Sequence, residues 1–138
     1  MTLFRIAYCS TARVGMASLL VITDILAMSQ RNNARDGLTG ALVDSRGHFF
    51  QVVEGPAGAI ERLLRRLADD RRHADIEIVH REPVTERLFA DWSVTVPRLR
   101  PELADDLDQA VAACRKAPAR AIGLLKRLVD DMAVSDGA

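Results

Sequence analysis

The sequence predicts an α+β domain: a ferredoxin-like β-α-β-β-α-β succession with an extra strand, and two C-terminal helices covering the other sheet face. Three observations predict it. The hydrophobic period alternates between two and about 3.6 along the first two thirds of the chain. Two apolar runs, Leu38 to Asp44 and His48 to Glu54, flank Ser45-Arg46-Gly47 as a hairpin would. The last third carries helical spacing alone.

Each element follows from its residues. Leu3 to Ser10 alternates, with Phe4, Ile6, Tyr8 and Ser10 on one face and Leu3, Arg5, Ala7 and Cys9 on the other, which is a strand. Thr11 to Gly15 reads as a loop. Ser18 suits an N-cap for a helix to about Ser29, with Leu19, Ile22, Ile25, Leu26 and Ser29 on one side. Gln30 to Gly37 is polar and ends in the turn signal Asp36-Gly37. After the hairpin, Gly55-Pro56 stops the strand and opens a helix, with Pro56 in its first turn and Ile60, Leu63, Leu64 and Leu67 as the buried stripe. Ile76 to Val84 is a fourth strand and Trp92 to Val96 a short fifth. Leu103, Leu107, Ala110, Val111 and Cys114 mark one amphipathic helix; Pro118 starts another, with Ile122, Leu125, Leu128, Val129 and Met132 inward and Val134 to Ala138 frayed. Residues 1–97 are thus expected to form the domain proper. Residues 98–138 are expected to be a helical extension packed on its sheet, not an independent unit.

Composition excludes several classes. At 138 residues the chain holds one core, and 49% hydrophobic residues suffice to fill it. Nineteen basic and nineteen acidic side chains cancel, so no net field draws the protein to nucleic acid or anionic lipid. The longest apolar stretch, Met16 to Met28, is broken by Ser18, Thr23 and Asp24 and is too short to span a bilayer. Met1 to Arg5 lacks the features of a secretory leader, so a soluble cytoplasmic protein is expected. Cys9 and Cys114 have neither metal nor redox spacing and are read as two separate thiols in a reducing compartment. His48, His73 and His80 are scattered, and no nucleophile triad, phosphate loop or metal cluster is present.

A few polar residues call for partners. Gln51 sits inside Phe49-Phe50-Gln51-Val52-Val53, and an unpaired buried amide costs roughly 1–3 kcal/mol. Its partner is either a protein group, such as a tyrosine hydroxyl, or the polar edge of a ligand. Tyr8 lies on the strand that neighbours Gln51 in this topology, so the two meet if both point to the helix-covered face. The bland reading of Tyr8 is a core tyrosine bonded to backbone. Asn32-Asn33 follows the first helix, either as a C-terminal cap or as two amides offered to a ligand. Asp70-Arg71-Arg72-His73 ends the second helix, either as a solvated cationic cap or as a contact for sugar hydroxyls and phosphate.

Five blocks then resemble one family in order and spacing: Tyr8-Cys9-Ser10; Arg31-Asn32-Asn33 with Asp36-Gly37-Leu38-Thr39-Gly40; Phe49 through Pro56; Asp70-Arg71-Arg72-His73; and Phe89-Ala90-Asp91-Trp92-Ser93. Together they are similar to the BLUF photoreceptor domain over about residues 3 to 96. The last forty residues resemble the helical tail of its short, stand-alone members. The resemblance implies a noncovalent flavin, FAD with FMN left open, between two helices over the sheet. It implies that Tyr8 donates an electron and proton to the excited flavin, and that Gln51 bridges the two and rearranges its hydrogen bond. Trp92 would be the mobile tryptophan near Gln51. Asn33 and Asn32 would meet the pyrimidine edge, Ile25, Ser29 and Phe49 would line the ring, and Asp70, Arg72 and His73 would face the ribityl chain and phosphate. Val94 departs from the family, which commonly has methionine there. The implied function is blue-light sensing without catalysis, signalling to a separate protein effector, with a homo-oligomer left open.

Three alternatives remain at this level. Arg13-Val14-Gly15 could imitate the anion loop of an acylphosphatase-like enzyme on the same fold. A light-insensitive flavin or redox protein shares the cofactor. A nucleic-acid module could use Arg62, Arg65, Arg66, Arg71 and Arg72, but aromatic content of 4% leaves few stacking platforms.

Overall fold

In a computed structural model, residues 3–12, 37–45, 48–69, 73–89, 92–95, 102 and 104–137 are described. Their elements are β1 (Leu3–Ala12), β2 (Thr39–Ser45), β3 (His48–Pro56), α1 (Ala57–Asp69), β4 (His73–Val84), β5 (Trp92–Thr95), α2 (Ala104–Ala113) and α3 (Pro118–Gly137). The helix predicted from Ser18 to Ser29 lies outside the described residues. The five strands run in the order β4-β1-β3-β2-β5. The first four pair antiparallel, and β5 joins β2 in parallel. Among the described residues this is the expected α+β order, with the extra strand at the sheet edge.

The alternation of β1 and β3 builds two cores. Ile6 and Tyr8 of β1, with Val53 of β3, pack under Ala59, Ile60 and Leu63 of α1. Ala7 and Cys9, with Phe50, Val52, Ala41 and Val43, pack under α2 and α3 through Leu107, Ile122, Leu125 and Leu128. β3 is covered on both faces, buried from Phe49 to Gly55. Its unbroken apolar run is what a strand without a solvent face requires. Fully burying each of Leu107, Leu125 and Leu128 contributes about 1.5–3 kcal/mol. The C-terminal helices are therefore part of the larger core.

Boundaries differ at a few points. Pro56 ends β3 instead of entering the helix, whose stripe of Ile60, Leu63 and Leu64 is as expected. β4 begins at His73, three residues before the predicted start, because the chain pairs with Ala12 and Thr11 of β1 there. α3 continues through Gly137, past the expected fraying point. The two cysteines, expected as separate thiols, meet: Cys9 of β1 and Cys114 after α2 form a disulfide with Cα atoms 6.8 Å apart. Linear separation of 105 residues hid this, because the helical tail folds back onto the first strand.

Candidate functional site

Tyr8 and Gln51 are register partners across β1 and β3. Directly opposed residues of an antiparallel pair project to the same face. The face is the α1 side, since Tyr8 packs in the α1 core and Val53, two residues beyond Gln51, does the same. The row continues through Leu42 of β2, opposite Gln51, to the backbone position of Val94 in β5. Along β3, Phe49 shares that face and stands opposite Ser10. Tyr8, Ser10, Leu42, Phe49 and Gln51 are all buried, Gln51 at 5% exposure. A phenol and a carboxamide thus lie side by side in the middle of a sheet, on a face they share with Leu42, Phe49 and Ser10. This answers the sequence-level question of whether they share a face.

The other predicted contacts divide into two groups. Ile25, Ser29, Asn32, Asn33, Asp70 and Arg72, with Arg13-Val14-Gly15, lie outside the described residues. His73 begins β4 opposite Ala12 of β1, and Trp92 opens β5 opposite Gly40 of β2. The donor set that is described fits a flavin edge: a hydroxyl that donates or accepts beside an amide that does both, without a net charge.

Below the same strand lies an arrangement the sequence reading missed. Glu54, three residues beyond Gln51, has no exposed surface. Its carboxylate accepts from Arg5 Nε at 2.8 Å. It also accepts from the backbone N–H groups of Leu88, at 2.9 Å to Oε1 and 3.0 Å to Oε2, and of Phe89 at 2.8 Å. Arg87 closes the cradle, donating to Thr39 Oγ1 at 2.7 Å, Glu54 O at 3.1 Å and Gly37 O at 2.9 Å. Four backbone or guanidinium groups thereby hold the connection that leads into β5. The available signal was a carboxylate directly after an apolar run, which cannot be buried without a cation and donors. Arg5 also donates to Glu82 Oε1 at 2.7 Å, and His80 Nε2 sits 3.1 Å from the same oxygen. His80 first, and then Arg5, hold the Glu82 carboxyl below its ordinary value.

A cavity of about 440 Å³ lies at the hairpin end of the sheet, against α2. Phe49 and Ser10 line it, and Tyr8 and Gln51 do not. Ser45 donates to Asp108 at its rim, and Arg115 to Glu77 beside it. Among the described residues no group of three or more His, Cys, Asp or Glu could hold a metal, and no helix is long and apolar enough to cross a membrane.

Comparison with known proteins agrees with this geometry. A family model described as BLUF, sensors of blue-light using FAD, matches residues 3–95. The photoactivated adenylate cyclase subunit beta of Euglena gracilis is 37% identical over 95 residues, covering 68% of this chain and 11% of that one. The blue light- and temperature-regulated antirepressor BluF of Escherichia coli (strain K12) is 30% identical over 90 residues, 65% of this chain and 22% of that one. The chain therefore spans about a tenth to a fifth of the length of these relatives. Among solved structures, the dark state of the BLUF protein BlrB superposes with a TM-score of 0.78 at 31% identity, covering 93% of this chain and 95% of that one. A bacterial light-regulated adenylyl cyclase superposes with a TM-score of 0.66 at 29% identity, covering 91% of this chain and 40% of that one. The acylphosphatase-like alternative finds no support among these matches.

Proposed function

This chain belongs to the BLUF family of blue-light sensors that use FAD, and from that premise we propose that Tyr8 and Gln51 are its photoactive pair. The family's function is flavin-based light sensing, and FAD is its cofactor. The observation that carries the residue assignment is the direct cross-strand pairing of Tyr8 with Gln51, both buried on one face.

Bound FAD supplies a chromophore that absorbs blue light and becomes a strong oxidant when excited. Tyr8 is the donor of an electron and of its phenolic proton. Gln51 holds that proton's path at its carboxamide and has two comparable hydrogen-bonding orientations, because an amide donates from one end and accepts at the other. A side chain with two such states is a small bistable element, sufficient for a switch. Phe49, Ile25 and Ser29 would line the ring, Asn32 and Asn33 would hold its polar edge, and Asp70, Arg72 and His73 would meet the ribityl chain and phosphate. Val94, whose backbone pairs with Leu42, stands at the sheet-edge end of the row that starts at Gln51, and Trp92 opens the same strand two residues earlier.

The division into a sensor domain, 1–97, and a helical extension, 98–138, is part of the same proposal. So is a role without catalysis, in the cytoplasm, with the signal passed to a separate protein effector. The shared core of sheet and tail helices supports the extension as relay.

Absorption spectra of the flavin-loaded chain, before and after blue light, test the assignment. The wild type shows a small red shift that decays in the dark. Gln51→Leu and Tyr8→Phe both remain yellow and both lose that photocycle. A normal photocycle in either variant refutes its role.

A further inference from the structure

Cys9 and Cys114 take no part in the site described above, yet the fold brings them together. Cys9 directly follows Tyr8 in β1 and faces the opposite side, in the core beneath α2 and α3. Cys114 stands just past α2, at the start of the turn into α3. Both are buried, at 2% and 3% exposure. Both nevertheless line the cavity of about 440 Å³, together with His48, Asp108 and Arg115. A buried pair of sulfurs with a path to solvent is open to small reagents and closed to large ones. A disulfide in a protein of a reducing compartment is usually transient.

We propose that Cys9 and Cys114 form an oxidant-responsive modification site, a dithiol that hydrogen peroxide or another small hydroperoxide closes into a reversible cross-link. The structure holds the closed form. In the closing reaction one thiol attacks a peroxide oxygen; the O–O bond breaks, the sulfur becomes a sulfenic acid, and one water leaves. The second thiol attacks that sulfenic sulfur, forming the S–S bond and releasing a second water. Two thiols and one peroxide give one disulfide and two waters: the sulfurs lose two electrons and the peroxide oxygens gain them. Exchange with a small thiol reverses the bond. The cross-link ties the turn between α2 and α3 to the residue beside Tyr8. Its effect on the light response rests on the reading of Tyr8 above; the sulfur chemistry does not.

The test uses the full chain, reduced with dithiothreitol, freed of it, and then treated with hydrogen peroxide. Thiols are counted with a maleimide after denaturation, and intact mass is measured on the monomer. The expected result is two thiols before peroxide and none after, with the mass of two hydrogens lost and no added oxygen. The oxidised chain melts about 10 °C higher than the reduced one, as closing a long loop predicts. Cys9→Ser and Cys114→Ser each abolish that difference. Thiols that survive peroxide, oxygen added without loss of hydrogens, or cross-linked dimers in place of the monomer overturn the proposal, and none of these readings depends on the variants folding. With FAD bound, the dark-recovery rates of the two wild-type forms differ by about twofold or more, the lower end of coupling carried through packed contacts. Equal rates overturn the link to light. A chain with no photoresponse in either form refutes the reading of Tyr8 and Gln51, while the thiol count still decides the sulfur chemistry.

Discussion

Replacing Glu54 with alanine removes one carboxylate and strands three donors. Arg5 Nε loses an acceptor at 2.8 Å, and the backbone N–H groups of Leu88 and Phe89 lose theirs at 2.9 and 2.8 Å. Breaking a buried ion pair from one side costs about 3–5 kcal/mol. Arg5 keeps Glu82 and is 11% exposed, so its charge is not abandoned and the lower end of that range applies. Each orphaned backbone donor adds roughly 1–3 kcal/mol unless water reaches it, and these costs overlap. The expected loss is about 4 kcal/mol, a large share of the 5–15 kcal/mol typical of whole domains. Glu54→Gln keeps an acceptor for the two N–H groups and forfeits the charge, so it should lose about 2 kcal/mol. Urea unfolding followed by far-ultraviolet circular dichroism measures both. Amide exchange at Leu88 and Phe89 should quicken in the alanine variant before the central strands do. A loss below about 1 kcal/mol for Glu54→Ala refutes the view that this carboxylate holds the connection into β5, since two stranded backbone donors and a half-broken ion pair cannot be that cheap.

Other expectations follow from single contacts. A methyl group on Gly55 would sit 2.6 Å from Leu38 Cδ2 and 3.1 Å from Gly37 O, so Gly55→Ala should cost about 1–3 kcal/mol in the same unfolding assay. Leu125→Ala opens a hole between α3 and the sheet, at a cost of about 2–5 kcal/mol; a change within 0.5 kcal/mol, on the order of a surface substitution, would contradict the place given to α3 in the core. The Glu82 carboxyl lies below 4.5 when folded, so its contribution is complete above the unfolded value and is lost as the pH falls through the folded one. Glu82→Gln should therefore lower stability slightly at neutral pH, converge on the wild type in acid and so flatten the acid limb, the whole effect being small because the group is 41% exposed.

Much of this architecture can be read along the chain, since local patterns encode it. Tyr8 could be placed on a strand face from two-residue alternation, and α1 from the spacing of Ile60, Leu63 and Leu64. Gln51 announced itself because an amide inside an apolar run needs a partner, a rule that requires no coordinates. The five family blocks then supplied an expected cofactor. Such reasoning identifies residues that must be satisfied without naming what satisfies them.

Local pattern could not supply the pairings between distant segments. Register placed Tyr8 opposite Gln51, and not one residue to either side, which would have turned one of them to the other face. Glu54 found Arg5 and the Leu88–Phe89 backbone 34 to 49 positions away. Cys9 met Cys114 across 105 residues. Periodicity records which side of an element avoids water, and burial is a property each residue carries with it. Which buried group touches which is settled when the layers close, and that information belongs to no single stretch of chain.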